Sequence, residues 1–173
     1  MGTVPRKPSK DADRLRQAWS GLAIGVFRLN GDLIEGGDAL VRDLGLTSAR
    51  WQVLGAIALS PVPLPVAHIA RNMGLARQSV QRVVDDMRDD GLVRTEPNPH
   101  HRRAPLVAMT PQGEAAYEQA TARKDLWADV LTEGLSAEAI EAAGTLLRTL
   151  QQRIAASHGH IASIAATRKE TQE

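Results

Sequence analysis

Cysteine is absent from the 173 residues, which excludes disulfides, thiolate zinc sites, iron–sulfur clusters and a thiol-oxidation switch. Aromatic residues are scarce: three Trp, one Tyr and one Phe. The composition instead holds 26 alanines, which favour helices because alanine loses no side-chain entropy in one. Long apolar runs are missing as well. Stretches without a polar side chain reach only seven residues, as at 53–59, where about 20 are needed to cross a bilayer. No apolar core follows the charges of Arg6 and Lys7, so no signal peptide is expected, and Arg6 occupies the place where a myristoylation pattern needs Ser or Thr. The chain reads as a soluble, cytoplasmic, mainly helical protein with no membrane partner.

A large excess of either charge is also lacking, the net value being +1. The distribution is more informative. Residues 64–84 hold Arg71, Arg77 and Arg82 with no acid, and residues 94–110 hold Arg94, Arg102 and Arg103 against Glu96. Between them stand Asp85, Asp86, Asp89 and Asp90 with only Arg88. Such alternation can give a neutral protein one basic face.

Catalytic signatures are missing. There is no Gly-rich phosphate loop, nucleophile elbow or His-Glu-x-x-His, and the aspartates at 85–90 read as a solvated helix face. The pairs His100-His101 and His158-x-His160 lack both helical i,i+4 spacing and neighbouring acids, so neither a metal nor a cofactor is expected.

What is present is helical periodicity. From about Asp11, the residues Leu15, Trp19, Leu22, Val26, Leu29 and Leu33 alternate steps of four and three, a coiled-coil stripe. Gly36-Gly37 is expected to bend or interrupt that helix. Ile140, Ala143, Leu147, Leu150, Ile154, Ser157, Ile161 and Ile164 form a second stripe near the other end. Two narrow stripes pack either on each other within one chain or, the favoured reading, on the same helices of a second copy.

Thr47-Ser48 predicts a helix over 49–59, and the three prolines at 61, 63 and 65 predict a rigid extended connector, with Pro65 in the first turn of the next helix. Val66, Ile69, Ala70 and Met73 give one buried face, then Val80, Val83, Val84 and Met87 give another after Gly74-Leu75. Two short amphipathic helices across a Gly-containing turn are a helix-turn-helix signature. Residues 92–96 and 104–109 then predict a β-hairpin with a basic tip. Thr110-Pro111 starts a helix that Gly134 stops, and Ser136 caps the last one.

In a helix-turn-helix the second helix enters the major groove of double-stranded DNA. Packing Val80, Val83, Val84 and Met87 inward leaves Arg77, Gln78, Ser79, Gln81 and Arg82 outward. Arginine can bind guanine O6 and N7, glutamine adenine N6 and N7, and serine several edges or a phosphate. An i,i+4 pair of Arg82 with Asp86 is expected on the same helix.

In this order the chain resembles the MarR-type winged helix-turn-helix transcription regulators over about positions 15–160. The resemblance rests on Gly45-Leu46-Thr47, Trp51-Gln52-Val53-Leu54, residues 66–75, Val80 through Val84, Gly91-Leu92-Val93, the wing Pro99-His100-His101-Arg102-Arg103-Ala104, and Leu106 through Gly113. It implies a mainly α fold with a small β-hairpin wing and a homodimer built from interlocked N- and C-terminal helices. It also implies a ligand-responsive repressor, released from a pseudo-palindromic operator by a small aromatic or phenolic effector. Arg103 matches the wing arginine of the family, with Arg102 beside it.

The chain then divides into a flexible basic tail (1–10), an N-terminal dimerisation helix region (11–45), a winged DNA-binding domain (46–110), C-terminal dimerisation helices (111–167) and a frayed tail (168–173). Trp19 and Trp51 are candidate effector-binding residues, with Arg16 and Arg50 near them for a ligand carboxylate. Three departures stand out. His101 replaces the wing acid, Ala76 stands at the recognition-helix cap, and Pro105 is expected to interrupt the second wing strand. A mobile wing is expected, and protonation of His100 and His101 would tighten DNA binding as pH falls through ~6.5. The alternative reading is a small-molecule-binding helical dimer without sequence-specific DNA recognition.

Overall fold

The computed structural model describes residues 9–157 and 159–161. Ile164, His158 and the tails 1–8 and 168–173 lie outside the described residues. Ser9 caps the first helix, its Oγ accepting from the Ala12 N–H at 3.2 Å. This helix, α1 (Lys10–Val41), runs for 32 residues, about 48 Å at 1.5 Å per residue. It takes in Lys10, at the edge of the expected basic tail.

Gly36-Gly37 does not interrupt α1. Gly37 is buried where the next helix crosses, so its missing side chain serves close packing rather than a bend. Ser48 makes that crossing specific. Its Oγ donates to the Ile34 carbonyl at 2.9 Å and its backbone N–H donates to Asp38 Oδ1 at 2.5 Å. A 3₁₀ turn (Arg42–Leu44) leads to α2 (Ser48–Ala58), which Thr47 caps by accepting from the Arg50 N–H at 3.3 Å.

The proline-rich connector contains a strand that its composition hides. Leu64–Pro65 forms β1, paired antiparallel to the third strand through Leu64 with Val107 and Pro65 with Leu106. A proline has no ladder donor, which confines β1 to the edge of the sheet. Pro65 consequently stays extended (ψ 153°) at the cap position, and α3 (Val66–Met73) begins one residue later than expected.

Gly74 closes α3 with φ +66°, a conformation that disfavours a β-carbon, and the Leu75 N–H reaches back to the Ala70 carbonyl at 2.9 Å. Helix α4 (Arg77–Asp89) follows. Ala76 at its cap makes no side-chain capping bond. Strands β2 (Val93–Glu96) and β3 (Leu106–Met109) pair antiparallel from Val93 with Met109 to Glu96 with Leu106, giving the order β1-β3-β2. Pro105 lies just before β3 instead of interrupting it, because the ladder needs its first partner only at Leu106.

The core collects one face from each of these elements: Val53, Leu54 and Ile57 of α2, Ile69 of α3, Val80, Val84 and Met87 of α4, and Val93 and Val107 of the sheet. Burying one such side chain is worth about 1.5–3 kcal/mol, so this cluster holds α3 and α4 against α2 and the sheet. Ala116 and Ala120 of α5 (Pro111–Thr132) complete it. Thr110 starts α5, its Oγ1 accepting from the Gly113 N–H at 3.1 Å and donating to the Gly91 carbonyl at 2.6 Å.

The chain divides into two compact units, the first ending at Asp125 and the second beginning at Leu126. In the second, Ser136 caps α6 (Ala137–Ala156) by accepting from the Ala139 N–H at 3.2 Å. Backbone and Ser136 hydrogen bonds at that cap hold the Glu138 carboxyl below its ordinary range. No residue of α6 is buried, and Ile140, Leu147 and Ile154 of its stripe are exposed. Among the described residues no helix is long and apolar enough to cross a membrane, and no group of three metal-ligating side chains occurs.

Candidate nucleic-acid interface

Helix α4 turns Val80, Val84 and Met87 inward, which places Arg77, Gln78, Ser79 and Arg82 in solvent along its first two turns. Gln81 is half-buried beside them. Arg77, Gln78, Gln81 and Arg82 line one concave surface of about 520 Å³. A second groove, of about 690 Å³, runs between α4 and the wing and brings Arg77 and Gln81 together with Arg103, His100 and His101. Arg102 is exposed at the same tip but does not line the groove.

Two residues of this groove were missed by sequence reasoning. His68, on the exposed side of α3, lines it opposite the wing histidines. Asn98 shapes the wing itself. Its Nδ2 donates to the Ala104 carbonyl at 2.8 Å and its Oδ1 accepts from the His100 N–H at 3.0 Å. An asparagine between two prolines is a local signal for such a turn.

Electrostatics sorts the arginines. The expected Arg82–Asp86 pair does not form, in keeping with the weaker order of an i,i+4 pair whose cation precedes its anion. Asp85 and Asp89 are instead taken by Arg88, at 3.0 and 3.3 Å, and Asp90 by Arg50 of α2, at 2.6 Å. None of Arg77, Arg82, Arg102 and Arg103 forms an ion pair among the described residues. The acidic half of α4 is thus partly neutralised while the basic face stays open.

The tryptophans are not brought together. Trp19 is exposed on α1, 18 residues or about 27 Å of helix before Gly37, whereas Trp51 packs half-buried against the core beside Gly37. Arg16 is paired with Asp13 at 2.5 Å in an exposed contact, and Arg50 is paired with Asp90 and donates to the Gly45 carbonyl at 3.1 Å. A pocket of about 310 Å³ between α1, α2 and α3 is lined by Asn30, Ile34, Asp38, Gln52 and Met73, among others, and by neither tryptophan.

A family model described as MarR family matches residues 44–104, from the 3₁₀ turn through the wing. An uncharacterized protein of Mycobacterium tuberculosis is 33% identical over 129 residues, covering 75% of this chain and 89% of that protein. The chain belongs to the MarR family. MarR proteins are transcription regulators, a regulatory family and not an enzymatic one.

Solved MarR-family structures share the fold. A mutant MarR from E. coli, in complex with operator DNA, matches with a TM-score of 0.67 at 23% identity, covering 75% of this chain and 93% of that one. CouR from Rhodococcus jostii RHA1, bound to p-coumaroyl-CoA, matches with a TM-score of 0.68 at 22% identity, covering 75% and 90%. The mainly helical chain with its three-stranded antiparallel sheet is therefore a winged helix of the MarR type.

Proposed function

We propose that this MarR-family chain is a cytoplasmic homodimer that binds a pseudo-palindromic duplex and represses transcription by occupying it. The observation that carries the reading is a set of cations without an ion pair among the described residues: Arg77 and Arg82 on one concave face of α4, Arg103 across the groove from Arg77, and Arg102 exposed at the wing tip. In this reading Arg77, Gln78, Ser79, Gln81 and Arg82 meet base edges, and Arg102 and Arg103 meet the backbone. Phosphate contacts dominate affinity while base contacts set specificity. The MarR mutant bound to operator DNA supports this use of the fold.

Dimerisation is supported by the stripes. Leu15, Trp19, Val26, Leu29 and Leu33 of α1 are all exposed, and a protomer that leaves such a face in water has a reason to cover it with a second copy. An aromatic effector that releases DNA belongs to the same proposal, supported by CouR with its p-coumaroyl-CoA and by the pocket between α1, α2 and α3.

The test is selection from a random duplex library in excess nonspecific DNA at two salt concentrations. The expected product is a two-fold symmetric site with half-sites about one helical turn apart. Retention that is strongly salt-dependent and without sequence preference would leave a basic surface only, and the chain would then be a ligand-binding helical dimer.

A further inference from the structure

The amide of Gln81 is already engaged at one end within its own helix. Its Nε2 lies 3.2 and 3.3 Å from the two carboxylate oxygens of Asp85, one helical turn on. A carboxylate only accepts hydrogen bonds, so the NH₂ end must be the one facing Asp85, and the carbonyl oxygen Oε1 must be the other end. Arg88 holds the same Asp85 from the opposite side at 3.0 Å, which keeps the carboxylate in place. Gln81 lines both concave surfaces at the interface, and its oxygen end is the one that Asp85 leaves unengaged.

We infer that Asp85 is a positioning residue that fixes the polarity of the Gln81 amide, so that Gln81 selects a base bearing an amino group in the major groove. This rests on the reading of α4 as the DNA-reading helix and names the base class that one of its side chains takes. Adenine N6 and cytosine N4 are donors that Oε1 can accept from. Guanine O6 and thymine O4 are acceptors, and they would face the glutamine oxygen with no proton between them. A free glutamine escapes this choice by flipping its amide; here the flip would turn Oε1 onto the Asp85 carboxylate. The clamp also orders the side chain before DNA arrives, which lowers the ordering cost of binding.

The experiment is the same duplex selection run on the full-length protein and on Gln81→Ala, Asp85→Asn and Asp85→Ala. Gln81→Ala locates the base pair that Gln81 reads, as the one symmetric position whose preference it abolishes. Each Watson–Crick pair sets one amino-bearing base, adenine or cytosine, opposite a keto base, so at that position the unaltered protein selects a pair over its reverse, A·T over T·A, C·G over G·C or both along the strand that Gln81 reads. Asp85→Asn keeps the size of the side chain but can donate to Oε1, so it permits the flipped amide. In that variant the reversed pair gains about fivefold or more at that position alone, the scale of one good base contact. Asp85→Ala gives the same relaxation by removing the clamp, and a thermal melt confirms that each variant is folded.

Equal selection of a pair and its reverse at the Gln81-dependent position overturns the inference, as does an unchanged preference in folded Asp85→Asn. An unaltered selection by Gln81→Ala overturns it as well, while leaving the chain a DNA-binding regulator. If the unaltered protein selects no site at all, the DNA reading itself fails.

Discussion

A β-carbon placed on Gly37 of α1 would stand 2.6 Å from the Oγ of Ser48 on α2. The two helices therefore cross at a contact that only glycine admits without movement. Replacing Gly37 by Ala sets two effects against each other. Helix propensity favours alanine by about 1 kcal/mol. Overpacking disfavours it by about 1–3 kcal/mol, and rotating Ser48 out of the way loses its bond to Ile34, worth about 1 kcal/mol. The expected outcome is a net loss of about 1 kcal/mol in urea denaturation, with part of it recovered in Gly37→Ala/Ser48→Ala. A single variant as stable as the parent would show that the crossing is looser than this geometry.

Arg50 joins α2 to the end of the recognition helix through Asp90 and also holds the Gly45 carbonyl. Half of Asp90 is in water, so the pair itself contributes no more than about 1 kcal/mol. Arg50→Ala loses both contacts and Asp90→Ala only one. Chemical denaturation is expected to rank Arg50→Ala as the more damaging change, with the Asp90→Ala loss shrinking in 1 M salt, where the Debye length is about 3 Å. Equal losses in the two variants would remove the Gly45 bond from the account.

Acid should weaken the junction of α5 with the end of α1. The side-chain hydrogen bond from Arg123 is the main cause holding the Asp43 carboxyl below its ordinary range, at contacts of 2.5 and 2.7 Å. A folded-state value below the unfolded one gives a contribution that is present above roughly pH 4 and lost as pH falls through the depressed value. Asp43→Asn cannot titrate there. Its melting temperature should fall less than that of the parent between pH 6 and pH 3, and parallel curves would contradict the linkage.

Much of this was legible in the sequence because it is local. Ser136, Thr47 and Thr110-Pro111 announce their helices through groups the next turn needs, and Gly74 announces the turn between α3 and α4. The stripes of α1 and α6 follow from spacing alone. What escaped depends on partners distant in the chain. Strand β1 exists only because Val107 lies beside Leu64, and the prolines of the connector disguise it. Gly37 reads as a helix breaker until Ser48 is seen against it. In the interface, helical phase named the outward residues of α4, but the choice of Arg88 over Arg82 as partner for the aspartates depends on side-chain direction. His68 entered the groove only because α3 faces the wing.

The wing arginines offer a separable readout. If Arg103 and Arg102 each neutralise one phosphate, replacing either by Ala should weaken binding to all sequences alike and reduce the salt slope of log K by about 1. Fluorescence anisotropy over a salt series on operator and scrambled duplexes measures both. A loss confined to the operator would instead make the substituted arginine a reader of sequence.

The exposed stripe of α1 has a consequence for how much of the protein a cell must hold. Leu15, Trp19, Val26, Leu29 and Leu33 are exposed among the described residues, so in the proposed homodimer every gain in abundance deepens, by mass action, the stability of the assembled form. Dilution does the reverse, returning those side chains to water and leaving single copies closer to unfolding. Thermal melts at rising protein concentration should therefore shift upward together, and the level of expression becomes a control on folding as well as on occupancy.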